Sequence, residues 1–106
     1  MPEHILVLTT VPDEQKAQDI AETLVGERLA ACVTVSAGCQ SFYWWEGKIS
    51  QDREMMLFIK TKAALYDQLE ARIKQVHPYR VPEIIALPLI RGYVKYLDWL
   101  TKETKG

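Results

Sequence analysis

The spacing of apolar and polar residues changes period several times along the chain, and each change marks an element. His4 to Val11 (HILVLTTV) is aliphatic and β-branched nearly throughout, which predicts a buried strand. Pro12-Asp13 stops that strand, and Asp13 is placed to cap a helix. From Glu14 to Glu27 the period becomes helical. Ala17, Ile20, Ala21, Leu24 and Val25 fall on one stripe, with Gln15, Lys16, Asp19 and Glu22 opposite. Gly26 weakens the end of this helix. Leu29 to Trp45 (LAACVTVSAGCQSFYWW) reads as extended, with a bend or bulge at Gly38. Glu46-Gly47 is a turn, and Lys48 to Thr61 returns as a second long strand. Ala63 to Val76 is the second helix, with Leu65, Tyr66, Leu69, Ile73 and Val76 on its apolar face. His77-Pro78 ends it, because a residue before proline avoids helical geometry. Glu83 to Ile90 is the last strand, and Pro88 inside it argues for an edge position. Tyr93 to Leu100 carries a short helical stripe.

The order is β-α-β-β-α-β followed by a C-terminal helix. It predicts an α+β, ferredoxin-like sandwich spanning residues 1–106 as one domain. Both helices cover one face of the antiparallel sheet, and the other face needs a cover. The arms of the central hairpin run to about fifteen residues, well past the usual strand of ~5–6. Phe42, Tyr43, Trp44 and Trp45 near its tip would stand in water in a lone subunit. Open sheet edges also invite pairing. An oligomer of few subunits with closed symmetry answers both problems, and the pattern leaves dimer and trimer open.

Composition narrows the function. The chain has 106 residues, 13 basic and 14 acidic, for a formal net charge of -1. That balance gives no electrostatic footprint for nucleic acid or an anionic membrane. The segment MPEHILVLTTVPDE lacks the basic flank and the apolar length of a signal peptide, and no stretch reaches the length of a membrane span. The expected compartment is the cytoplasm. Cys32 and Cys39 form no disulfide framework. On one unbroken strand they would lie ~20 Å apart on opposite faces.

Candidate chemistry gathers in HPYRVPEI, His77 to Ile84. His77 is either a neutral imidazole ligand for copper or zinc, or a helix-terminal residue suited to the dipole. The structural reading carries more weight, since one histidine makes no metal site. Tyr79, Arg80 and Glu83 lie on a loop braced by Pro78 and Pro82. They either line a cleft that grips a small anion or metal, or set the turn into the last strand. Cys32 reads as a buried small hydrophobe, whereas Cys39, after Gly38, is the more accessible soft ligand. Lys60 reads as a surface or paired charge. The chain has no nucleophile elbow, phosphate loop, GxGxxG or HExxH, and Ser36 and Ser41 lack an evident base.

In order along the chain, RLAACV, SFYWWEGKI, FIKT, HPYRVPEI and YLDWL resemble the CutA family of divalent-cation tolerance proteins. The resemblance covers nearly the whole chain. It implies a ferredoxin-like subunit, a tightly packed homotrimer and a link to copper and other divalent metals. For some members it implies copper ligands at a first-strand cysteine and at a histidine pair before Pro-Tyr. Here the first of these positions is Thr9, and the pair is Val76 and His77.

Together these readings predict a non-enzymatic homotrimer that responds to metal ions. Copper or another divalent cation would be held weakly, with His77 and Glu83 contributing and Cys39 as a separate soft site. The alternative is a trimeric regulator whose clefts bind a small ligand. An enzyme ranks lowest, and a chiefly structural module would make Pro78 and Pro82 matter more than His77.

Overall fold

The computed structural model describes residues 2–106. Strand β1 (His4–Val11) leads to helix α1 (Glu14–Gly26), and the chain continues through β2 (Cys32–Val35), β3 (Cys39–Trp45) and β4 (Lys48–Lys62). Helix α2 (Tyr66–Val76), strand β5 (Ile85–Pro88) and helix α3 (Val94–Glu103) complete it. The sheet order is β2-β4-β1-β5, with β3 pairing the distal half of β4. All pairings are antiparallel. This is the ferredoxin-like arrangement that the hydrophobic pattern predicts.

Local chemistry sets the boundaries. Asp13 caps α1 by accepting a hydrogen bond from Lys16 N at 2.8 Å. The left-handed residue after α1 is Arg28, at φ 59°, rather than Gly26. The hairpin turn places Glu46 at φ 50° and Gly47 at φ 77°. Two consecutive positive φ angles match the right-handed twist of the two arms. A short 3-10 turn, Ala63–Leu65, precedes α2, so the helix proper starts later than its apolar stripe. The last strand is shorter than Glu83 to Ile90 and does lie at an edge, paired only to β1.

Leu29 to Trp45 is not one strand. Val35 faces Leu57 and Cys39 faces Glu54, so four steps on one side oppose three on the other. The extra residue is a bulge around Gly38, and it turns the side chains of β3 to the opposite face. Cys32 opposite Lys60 and Cys39 opposite Glu54 therefore share one face of the sheet, correcting the opposite-face placement of an unbroken strand.

The core lies between α1, α2 and one sheet face. Val7, Val11, Leu57 and Ile59 pack there against Ile20, Leu24, Leu69 and Ile73. Alternation sends His4, Leu6, Leu8 and Thr10 to the other face. Helix α3 covers the His4 end of that face: Leu100 is fully buried, and His4 Nε2 bonds Thr101 Oγ1 at 2.8 Å. The Thr10 end, beneath the hairpin, is left to the residues described next. No helix among the described residues is long and apolar enough to cross a membrane.

Candidate functional site

The site starts from β4. Glu54 points to the face away from the α1–α2 core and is only 6% exposed. Its partner comes from the loop after α2. Tyr79 donates its hydroxyl to Glu54 Oε2 at 2.7 Å. Burial, reinforced by the Glu54 carboxylate, pushes the Tyr79 phenol far above its ordinary range, so it stays a donor. One register step along, Tyr43 donates to Asp52, a diagonal cross-strand pair on the same face.

His77 fixes the loop that delivers Tyr79. It is 8% exposed. Its Nε2 lies 2.7 Å from the Thr10 carbonyl, which can only accept, so Nε2 carries the proton. Its Nδ1 then accepts from Tyr79 N at 3.1 Å. The ring is thus neutral and fully bonded, and burial lowers its proton affinity further. The imidazole and the Tyr79 ring also pack with centroids 4.8 Å apart.

Above this floor opens a cavity of about 820 Å³. Thr10, Glu54 and Asp52 line it together with Tyr43 and Trp45, which alternation along β3 places on the Glu54 face. The opposite wall is the loop from Pro78 to Glu83. Arg80 reaches across with its guanidinium 5.8 Å from the Trp45 ring centroid, a cation–π contact.

The predicted site residues divide. Glu83 lines the cavity and His77 lies beneath it. Cys39 stands opposite Glu54 in the ladder and donates its thiol to Glu54 O at 3.3 Å. Glu54 and Asp52 were not singled out from the sequence, and Tyr43 was read only among the exposed hairpin aromatics. The signal was faint but present, since Glu54 and Asp52 alternate on a strand whose face was predicted to lack a cover. Lys60 donates to Thr34 Oγ1 at 3.2 Å and lies 3.8 Å from Cys32 Sγ, is not among the cavity's lining residues, and belongs to neither ion pair among the described residues.

The donor set does not make a closed transition-metal cage. Among the described residues, no three or more His, Cys, Asp or Glu side chains converge as metal ligands. Thr9, the first-strand position, is fully buried, and its hydroxyl has no hydrogen-bond partner among the described residues.

Comparison with known proteins supplies the family. Residues 5–103 match the model of the CutA1 divalent ion tolerance protein family. The divalent-cation tolerance protein CutA of Thermus thermophilus is 48% identical over 99 residues, which cover 93% of this chain and 96% of that protein. The solved structure of the Thermus thermophilus protein superposes with a TM-score of 0.94 at 47% identity, covering 96% of this chain and 99% of that one. CutA1 from the psychrotrophic bacterium Shewanella sp. SIB1 superposes with a TM-score of 0.96 at 39% identity, covering 99% of this chain and 98% of that one. Sequence and fold agree along almost the entire length, and the chain belongs to the CutA1 divalent-cation tolerance family.

Proposed function

We propose that the chain serves divalent-cation tolerance as a homotrimeric binding protein without turnover, and that its working site is the cavity between the hairpin and the His77–Glu83 loop. The observation that carries this reading is the cavity itself. Its volume of about 820 Å³ lies within the usual range of small-molecule sites. Its walls combine aromatic surface with a few fixed polar groups, which is how such sites orient a ligand. A divalent cation meets this site weakly, through the carboxylates of Glu54, Asp52 and Glu83 or the Cys39 sulfur. His77 is a poor ligand because a metal would have to displace its bond to the Thr10 carbonyl or its bond from Tyr79 N. Its part is to hold Tyr79 in place.

Trimer formation is supported by the apolar surface that one subunit leaves uncovered. Phe42 is 64% exposed and Trp44 72% exposed on the hairpin. Ile85, Leu87 and Ile90 are exposed along the β5 edge and its continuation. Patches of this kind mark association surfaces.

Two measurements test the proposal. Light scattering on the eluted protein is expected to give the mass of three chains, and a monomer at micromolar concentration overturns the assembly. Calorimetric titration with Cu(II) in a weakly coordinating buffer is expected to give shallow binding that His77→Gln leaves unchanged. Tight binding at a fixed ratio per chain, lost in His77→Gln, would make His77 a ligand and defeat this assignment.

A further inference from the structure

The charges around the cavity are of both signs, and they do not neutralise one another. Asp52, Glu54 and Glu83 supply carboxylates, and Arg80 supplies a guanidinium. The ion pairs among the described residues are Arg28–Glu103 and Arg72–Glu27, so Arg80 is paired with none of the cavity's carboxylates. Glu54 is the sharpest feature. It is a carboxylate more than nine-tenths buried, with Oε2 bonded by Tyr79 and no partner for Oε1 among the described residues. Glu54 lines the cavity, and Oε1 is not among the sealed-off polar atoms, so that oxygen is open to the chamber. A charge held in this way is costly unless something pairs with it.

The arrangement selects a ligand by elimination. A lone divalent cation is held only weakly, because it needs ligands converging on a point and among the described residues these side chains do not converge. A phosphate-rich ligand would face three carboxylates with one guanidinium to hold it. A diamine would satisfy the carboxylates but would be repelled by Arg80. A ligand with two ammonium or guanidinium groups and one carboxylate answers Arg80 and two of the three carboxylates at once. Trp45 on one side and the prolines Pro78 and Pro82 on the other offer apolar surface for the methylene chain between its ends.

We propose that this cavity binds a free basic amino acid of the lysine or arginine class, its carboxylate on Arg80 and its cationic groups on Glu54, Asp52 and Glu83. The inference rests on the reading of the cavity as a small-ligand site and names its ligand class. Binding couples the hairpin to the His77–Glu83 loop, since the ligand bridges both walls.

The test is calorimetric titration of the full chain with L-lysine and L-arginine, beside their decarboxylated counterparts cadaverine and agmatine, and L-glutamate. Lysine or arginine is expected to bind saturably, one per chain, and at least tenfold more tightly than the counterpart lacking the carboxylate. Glutamate is expected not to bind. Arg80→Gln, at an exposed loop position, should weaken the amino acid at least tenfold and tighten the diamine or leave it no weaker. Glu54→Gln should weaken both, and its circular dichroism spectrum and mass in solution would show that it remains folded. Equal binding of cadaverine and lysine with Arg80→Gln silent would overturn the amino-acid assignment while leaving a ligand-binding cavity. No binding of any of these probes would overturn it too. If a broad panel of metabolites also gave no thermal stabilisation, the small-ligand reading would fall with it.

Discussion

Replacing Tyr79 by phenylalanine isolates the contact on which the site is built. The substitution keeps the ring against His77 and removes only the hydroxyl, which donates to Glu54 Oε2 at 2.7 Å. A hydrogen bond to a charged group contributes about 1.5–3 kcal/mol, and its loss leaves a nearly buried carboxylate without that donor. We therefore expect a loss near 2 kcal/mol. In urea unfolding, with a slope of about 1–3 kcal/mol/M, the midpoint should fall by roughly 0.7–2 M at fixed protein concentration. In a Glu54→Gln background the same change should cost less than half as much, because the acceptor no longer carries charge. Alkaline pH supplies a second readout. The folded phenol is held protonated by burial and by Glu54, whereas the unfolded phenol ionises near pH 10. The stabilisation is thus fully present below about pH 10 and lost as pH rises above it. Tyr79→Phe should flatten that alkaline decline. A loss under about 0.5 kcal/mol, or an equal loss with and without the Glu54 charge, would refute the reasoning.

Other consequences follow from single groups. His77 is held neutral, with its proton affinity lowered by burial, while in the unfolded chain it titrates near pH 6.5. Its contribution is present above about pH 6.5 and lost as pH falls through that value toward the lower folded one, so His77→Gln should reduce acid sensitivity in denaturant melts between pH 7 and pH 5. Thr9→Val replaces a fully buried hydroxyl that has no partner among the described residues with a methyl of similar shape, and should raise unfolding stability by about 1 kcal/mol. Glu46→Gly relieves a side chain held at φ 50° in the hairpin turn, and should stabilise by about 1 kcal/mol, read as a higher urea midpoint. An unchanged or lower midpoint would mean that the turn carries no strain.

The order of helices and strands was legible in the sequence, although the extended stretch Leu29 to Trp45 is divided into two strands. Periodicity is a local property, so the apolar run of β1, the stripes of α1 and α2 and the Glu46-Gly47 turn were legible without any partner. The Asp13 cap and the edge position of the Pro88 strand were legible for the same reason, since proline and capping chemistry act within a few residues. HPYRVPEI could be located as the corner that ends α2 and leads into the edge strand, and it stands there. What it does there was not legible. His77 carries a bond to Thr10, 67 positions away, and Tyr79 reaches Glu54, 25 positions away. Such pairs exist only once the sheet has aligned β1 with β4. The bulge around Gly38 decided more than its residue type announced. One extra residue reverses which side chains of β3 face the cavity, and only the register against β4 counts it. The buried carboxylate of Glu54 was invisible for the same physical reason. In the sequence it is one polar residue in a strand, and only the chain folding over it removes its water.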